Sequence, residues 1–246
     1  MDARRDPSFR LNALPEPVNI DFSRTALLVV DMQNAFVKHG GYFDNVGVDI
    51  SQTQKIVPTC RRILDAARAG DLKVIYLQMT DVPSQSVEGH SSTPRFLKLK
   101  KKRNVLASRP ELLETHYCKG TWGHRIIDEL LPHTGDTVVE KYRHDGFVDT
   151  NLHEFLKSSG VESLLFIGTA TNICVESTLR HAFFMDYVAI LVSDAVSQMG
   201  PDMLQEATFA NVQSTFGWVT RSEDLLSALT RLTHVPPSYD WNEGKR

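Results

Sequence analysis

The chain has 246 residues, 41% hydrophobic and 23% charged, with a net charge of −3. That suffices for one α/β domain with a core needing no disulfides, and the mildly acidic balance gives no reason to expect a nucleic-acid partner. No apolar run reaches membrane-spanning length, the polar start Met1-Asp2-Ala3-Arg4-Arg5-Asp6 predicts no signal peptide, and three scattered cysteines without metal-ligand spacing predict a reduced, cytoplasmic setting without a metal.

Residues 1–22, with Pro7, Pro15 and Pro17, predict an extended N-terminal arm. Residues 23–235 predict one domain, and residues 236–246 a tail that is loose or packed on a neighbour. Thr25 to Val30 is an apolar strand ending at Asp31. Ile56, Cys60, Ile63, Leu64 and Ala67 recur at helical spacing, and Gly70 stops that helix. Lys73 to Gln78 is a second strand. Residues 79–120 hold Pro83, Pro94, Pro110 and a basic run (Lys98, Lys100, Lys101, Lys102, Arg103), read as a long binding loop with a solvated charged face. Ile126, Ile127, Leu130 and Leu131 predict a helix, and Thr137 to Glu140 a strand ending at Lys141. Thr150 caps a helix that Gly160 ends. Leu164 to Gly168 is the fourth strand, and a helix is expected from Cys174 onward. Val188 to Val192, a helix over Met203 to Phe216, a strand at Trp218 to Thr220 and a helix from Ser222 to Leu232 complete the series.

This alternation predicts a three-layer α/β/α sandwich around a six-stranded parallel sheet of Rossmann-like topology. Ligands of such sheets bind at the carboxyl ends of the strands. Asp31, Lys141 and Cys174 all fall at predicted carboxyl ends. A thiol at a strand-to-helix turn is expected to favour thiolate, the nucleophilic form. Asp31 is suited to move a proton, Lys141 to steady negative charge, and the turn's N–H groups to hold an oxyanion. This chemistry attacks a carbonyl through a thioester and gives His124 and His144 no role.

The segments Ala26-Leu27-Leu28-Val29-Val30-Asp31-Met32-Gln33-Asn34-Ala35-Phe36, Val139-Glu140-Lys141 and Gly168-Thr169-Ala170-Thr171-Asn172-Ile173-Cys174-Val175-Glu176-Ser177-Thr178 resemble the cysteine hydrolases of the isochorismatase-like superfamily. The resemblance implies Asp31, Lys141 and Cys174 as catalytic triad. It also implies a cis peptide between Thr169 and Ala170, and an oxyanion hole from the N–H groups of Ala170 and Cys174. Assembly as homodimers or homotetramers, without a cofactor, is implied as well. Within the superfamily, Gly40-Gly41-Tyr42, Val87-Glu88, Arg109-Pro110-Glu111-Leu112 and Lys119-Gly120-Thr121-Trp122 are similar to ureidoacrylate amidohydrolases of pyrimidine breakdown. Biuret, triuret and N-carbamoylsarcosine hydrolases are the alternative within this class. An isochorismate-type vinyl ether hydrolase does without the thiol, and a non-catalytic thiol protein would leave Cys174 dispensable; both are more remote.

The chain departs from the pattern in three places. Ala35 stands where the superfamily often has an acidic residue. Tyr76-Leu77-Gln78-Met79-Thr80-Asp81 lacks the Asp-x-His metal cluster of nicotinamidases. His144 and Asp145 stand where smaller or less polar residues are expected, which predicts a more polar substrate. For a small ureido or carbamoyl substrate, Gln78, Glu88 and Asn172 are candidate hydrogen-bonding groups and Arg143 a candidate carboxylate clamp. Phe36, Tyr42, Trp122 and Phe147 are candidate pocket walls.

Overall fold

The computed structural model describes residues 8–81, 94–98 and 100–234. Six parallel strands form the sheet in the order β5-β4-β3-β6-β7-β8: β3 is Thr25–Val30, β4 Lys73–Met79, β5 Thr137–Lys141, β6 Ser163–Thr169, β7 Val188–Ser197 and β8 Trp218–Thr220. The two central strands, β3 and β6, are buried along their whole length. Alternate side chains of an extended strand point to opposite faces, so each face collects its own set. Leu27, Val29, Leu165 and Ile167 pack with Cys60, Ile63, Leu64 and Leu229 from the helices Ser51–Ala69 and Ser222–His234. Leu28, Val30, Leu164 and Phe166 pack on the other face with Leu152, Leu156, Val175 and Leu179. Those four belong to the segment from Leu152–Ser158 to Glu176–Phe184. The chain is the expected three-layer sandwich, and the order of strands reverses between β3 and β6, where sequence neighbours part company.

Before the sheet, β1 (Ser8–Leu11) and β2 (Val18–Asp21) pair antiparallel. Leu11, Val18 and Ile20 are buried in the first of the two cores. Leu14 bridges Val219 of the edge strand β8, and Asn12 donates to Asp224.

Several local expectations need correction. Ile126 to Leu131 is not a helix: only Asp128–Leu130 makes a single tight turn. Its backbone is engaged elsewhere, because Asn34 N–H donates to Arg125 O and Ile127 N–H to Met32 O, and Pro132 follows. The basic run is helical, over Pro94–Lys98 and Lys100–Ser108. Within it Lys102 is no solvated charge. Its Nζ donates to Asp81 Oδ2 at 2.6 Å and Tyr117 Oη at 3.1 Å. Thr150 is not the cap itself: Asn151 takes that position, and Thr150, one residue before it, accepts from Leu152 N–H at 3.3 Å.

Candidate active site

The site is built where β3, β5 and β6 end. Asp31 closes β3 in the left-handed region, at φ +50°. That unusual backbone turns the chain at the end of β3, where the Asp31 carboxylate faces the end of the next strand, β4. Gly168 makes this possible from the neighbouring strand. It sits at φ +113°, and a Cβ there would lie 2.2 Å from Val30 O, so only glycine lets β6 run this close to the end of β3. The register between β6 and β7 shifts at the same point. The peptide between Thr169 and Ala170 is cis, and Thr171–Val175 forms a wide π-type turn before the helix Glu176–Phe184.

Three side chains converge on this turn. Lys141 Nζ donates to Asp31 Oδ2 at 2.8 Å, with Lys141 fully buried and Asp31 2% exposed. The Cys174 thiol, 8% exposed, lies within hydrogen-bonding reach of both. Asp31 Oδ1 accepts the Met79 N–H at 3.0 Å, and that same N–H is shared with Gln33 Oε1 at 2.8 Å. Gln33 also donates to Met79 O and His124 O, so this wholly buried amide clamps the end of β4 against Asp31. The sequence reading missed Gln33 as a site residue, although it stands two residues past Asp31.

The electrostatics correct one expectation. Burial, the largest cause, pushes the Cys174 thiol above its usual range; Lys141 pulls it down, and the Asp31 carboxylate pushes it up again. The resting residue is therefore a thiol, not a thiolate. A helix start was expected to favour the anion, but the sulfur is sealed and a carboxylate already occupies the low-dielectric space. Burial works against the Lys141 ammonium, yet the net shift is upward, led by the Asp31 carboxylate, and the ammonium stays charged. Asp31, Lys141 and a neutral thiol make a buried group of zero net charge.

Above the sulfur is a pocket of about 440 Å3, counted with its open mouth. Asp31, Cys174, Ala170 and Thr169 form its floor. Phe36, Phe43, Met79, Tyr117, Ile173, Met199 and His144 form the rest. Of the proposed walls, Phe36 is in place. Tyr42 is buried against His116, with ring centroids 4.6 Å apart, and its neighbour Phe43 takes the pocket position. Phe147 belongs to the core beneath, against Tyr187 and His181. Trp122 is absent from the lining; its N–H donates to Glu114 and its carbonyl accepts from Asn34.

The polar candidates also turn to local tasks. Gln78 Nε2 donates to His124 O at 2.7 Å. Asn172 exchanges two bonds with the backbone of Met199, which fixes a pocket wall rather than presenting the amide to a ligand. Arg143 is surface-exposed and pairs with Asp149 at 3.2 Å. Glu88 lies outside the described residues. The residue denied a role, His144, stands against the sulfur: its Nδ1 is 3.4 Å from Cys174 Sγ.

Known proteins agree with this architecture. The isochorismatase domain matches residues 25–224. A ureidoacrylate amidohydrolase RutB from Rhizobium rhizogenes (strain K84 / ATCC BAA-868) is 40% identical over 227 residues, covering 92% of each chain. Another RutB, from Enterobacter sp. (strain 638), is 41% identical over 232 residues, covering 93% of this chain and 96% of its own. Among solved structures, a cysteine hydrolase from Pseudomonas syringae pv. phaseolicola 1448A superposes with a TM-score of 0.71 at 27% identity, over 87% of this chain and 95% of that one. N-carbamoylsarcosine amidase from Thermoplasma acidophilum superposes with a TM-score of 0.58 at 28% identity, over 81% and 97%. Among the described residues, no helix is long and apolar enough to cross a membrane. With its strand order, its acid–lysine–thiol floor and these relatives, the chain belongs to the isochorismatase family and is a hydrolase of amide C–N bonds.

Proposed function

We propose that the chain is a cysteine amidohydrolase that cleaves a C–N bond of a small linear ureido or carbamoyl compound of the ureidoacrylate type, passing through a thioester-type acyl-enzyme and releasing carbamate or ammonia. The observation that carries this reading is the meeting of Asp31, Lys141 and Cys174 at the base of one small pocket, with Asp31 and Cys174 in its lining and Lys141 buried against Asp31. The named activity of the 40%-identical relatives supports the substrate class.

The buried group is neutral as a thiol, and it stays neutral if the thiol proton moves to Asp31. Cys174 Sγ then attacks the ureido carbonyl carbon, and the Lys141 ammonium offsets the charge left on sulfur. The carbonyl oxygen takes up negative charge opposite the N–H groups of Ala170 and Cys174. The first amides of a helix have no partner within it and are the natural donors at such a turn. Asp31 returns its proton to the departing nitrogen as the C–N bond breaks. Water then hydrolyses the thioester. Aromatic and thioether walls hold the planar ureido group and exclude bulk water from the first step.

The test is release of ammonia over a panel of ureidoacrylate, biuret, triuret and N-carbamoylsarcosine by the native chain and by Cys174→Ala. Turnover of at least one compound, abolished in Cys174→Ala while binding persists in calorimetry, is the expected result. Equal turnover by the two proteins removes the sulfur from the mechanism.

A further inference from the structure

His144 differs from Asp31, Lys141 and Cys174 in one respect: it is exposed to solvent, while they are buried. Its Nδ1 is 3.4 Å from Cys174 Sγ, and its ring forms part of the pocket lining. One imidazole thus touches both the sealed sulfur and the open mouth. Its loop is fixed to the helix behind the nucleophile. Gly146 N–H donates to Thr178 Oγ1 at 3.0 Å, and the Thr178 hydroxyl donates to Cys174 O at 2.7 Å. Asp145 accepts from Phe147 N–H and pairs with His181 of the same helix. The imidazole therefore keeps its place relative to the sulfur when the pocket fills.

We propose that His144 is a fourth catalytic residue, the proton carrier of the hydrolytic step. The proposal rests on the acyl-enzyme reading above and adds to it. Once the first nitrogen has left, Asp31 is again a carboxylate paired with Lys141, and the acyl group is on sulfur. Water entering from the mouth meets the imidazole before the floor. It gives one proton to Nδ1 while its oxygen bonds to the thioester carbon. The C–S bond breaks and its electron pair stays on sulfur, as thiolate beside Lys141. The imidazolium then passes its proton to that sulfur, restoring thiol and neutral imidazole. Each turnover places one hydrogen of water on sulfur and the remaining hydroxyl on the acyl product, so the balance closes without another reactant. An imidazole carries both a proton-accepting and a proton-donating nitrogen and is suited to gaining and losing a proton within one cycle.

The experiment uses His144→Ala with ureidoacrylate. Position 144 is exposed, so the variant is expected to fold; its thermal melt is checked against the native chain. Expected are a kcat at least tenfold lower, an acyl group on Cys174 detected by intact mass spectrometry during turnover, and partial restoration of kcat by added imidazole. A series of methylimidazoles should restore the rate in order of their basicity. Native kcat in His144→Ala overturns the proposal, and so does a lowered kcat with no acyl group on Cys174 and no rescue. The parent reading fails separately: if Cys174→Ala turns over, no acyl-enzyme exists for His144 to serve. If Cys174→Ala is inert and His144→Ala behaves as native, only the role of His144 falls.

Discussion

Lys141 and Asp31 meet across a strand that belongs to neither. β4 lies between β5 and β3, and Lys141 Nζ passes Met79 Sδ at 3.5 Å to reach Asp31 Oδ2 at 2.8 Å. Replacing one partner leaves the other as an uncompensated charge with almost no access to water. Lys141→Met should lower stability by about 3–5 kcal/mol. Urea unfolding measures this, and the double variant Asp31→Asn/Lys141→Met should recover part of the loss. A single variant as stable as the native chain would mean that the carboxylate is not charged there.

The same charges govern the thiol. Burial and Asp31 hold Cys174 protonated, so the rate of its reaction with iodoacetamide should still be rising above pH ~8.5, where an unperturbed thiol is half ionised. Asp31→Asn should move the curve to lower pH by removing a nearby negative charge, and Lys141→Met should move it higher. Identical curves for all three proteins would show that neither charge tunes the sulfur.

His116 predicts an acid-side weakness. Burial pushes its pKa down to about 3. The unfolded chain binds a proton at this histidine below pH ~6.5, and the folded chain does so only near pH 3, so stability falls with acidification between these limits. One such proton contributes about 1.4 kcal/mol per pH unit. His124, also pushed down by burial, acts in the same direction. His116→Phe, which keeps a ring against Tyr117 and Tyr42, should flatten the fall measured by urea midpoints between pH 6.5 and 4. An unchanged slope would place the proton elsewhere.

Gly168→Ala should cost at least about 1–3 kcal/mol for the backbone conformation alone. The close approach of a new Cβ to Val30 O adds to that and displaces Asp31 from the sulfur. Activity should fall further than the melting temperature suggests. Native turnover in this variant would show that β3 and β6 tolerate separation at the site.

Lys102 offers a test away from the floor. It pairs with Asp81 and its ammonium lies 5.0 Å from the centre of the Tyr117 ring, a pocket wall. Lys102→Met should raise KM several-fold while kcat stays within about twofold, because the wall loosens and the reacting groups do not move. A change confined to kcat would tie Lys102 to the chemistry instead.

Strands were the most legible part of the fold, since β3 and β6 are unbroken apolar runs buried on both faces. The convergence of Asp31, Lys141 and Cys174 was legible because the three fall at or just past the ends of three strands. The order of strands was not, because pairing depends on contacts far apart in sequence. The local partners of the candidate substrate contacts were missed for a definite reason. Gln78, Asn172 and Arg143 were chosen by their polar side chains, but nearby backbone carbonyls and a carboxylate compete for the same groups. Phe147 and Tyr42 were chosen as aromatics, which a core takes up as readily as a pocket. Gln33 and His144 were passed over because an amide clamp and a thiol neighbour leave no spacing signature.

The hairpin at the start of the chain has a consequence for biosynthesis. Leu14 pairs with Val219, and Asn12 reaches Asp224, across more than two hundred intervening residues. The ribosome emits the hairpin long before its docking strand and helix. The cover that the last helix gives this hairpin therefore waits until the whole intervening sheet has been synthesised.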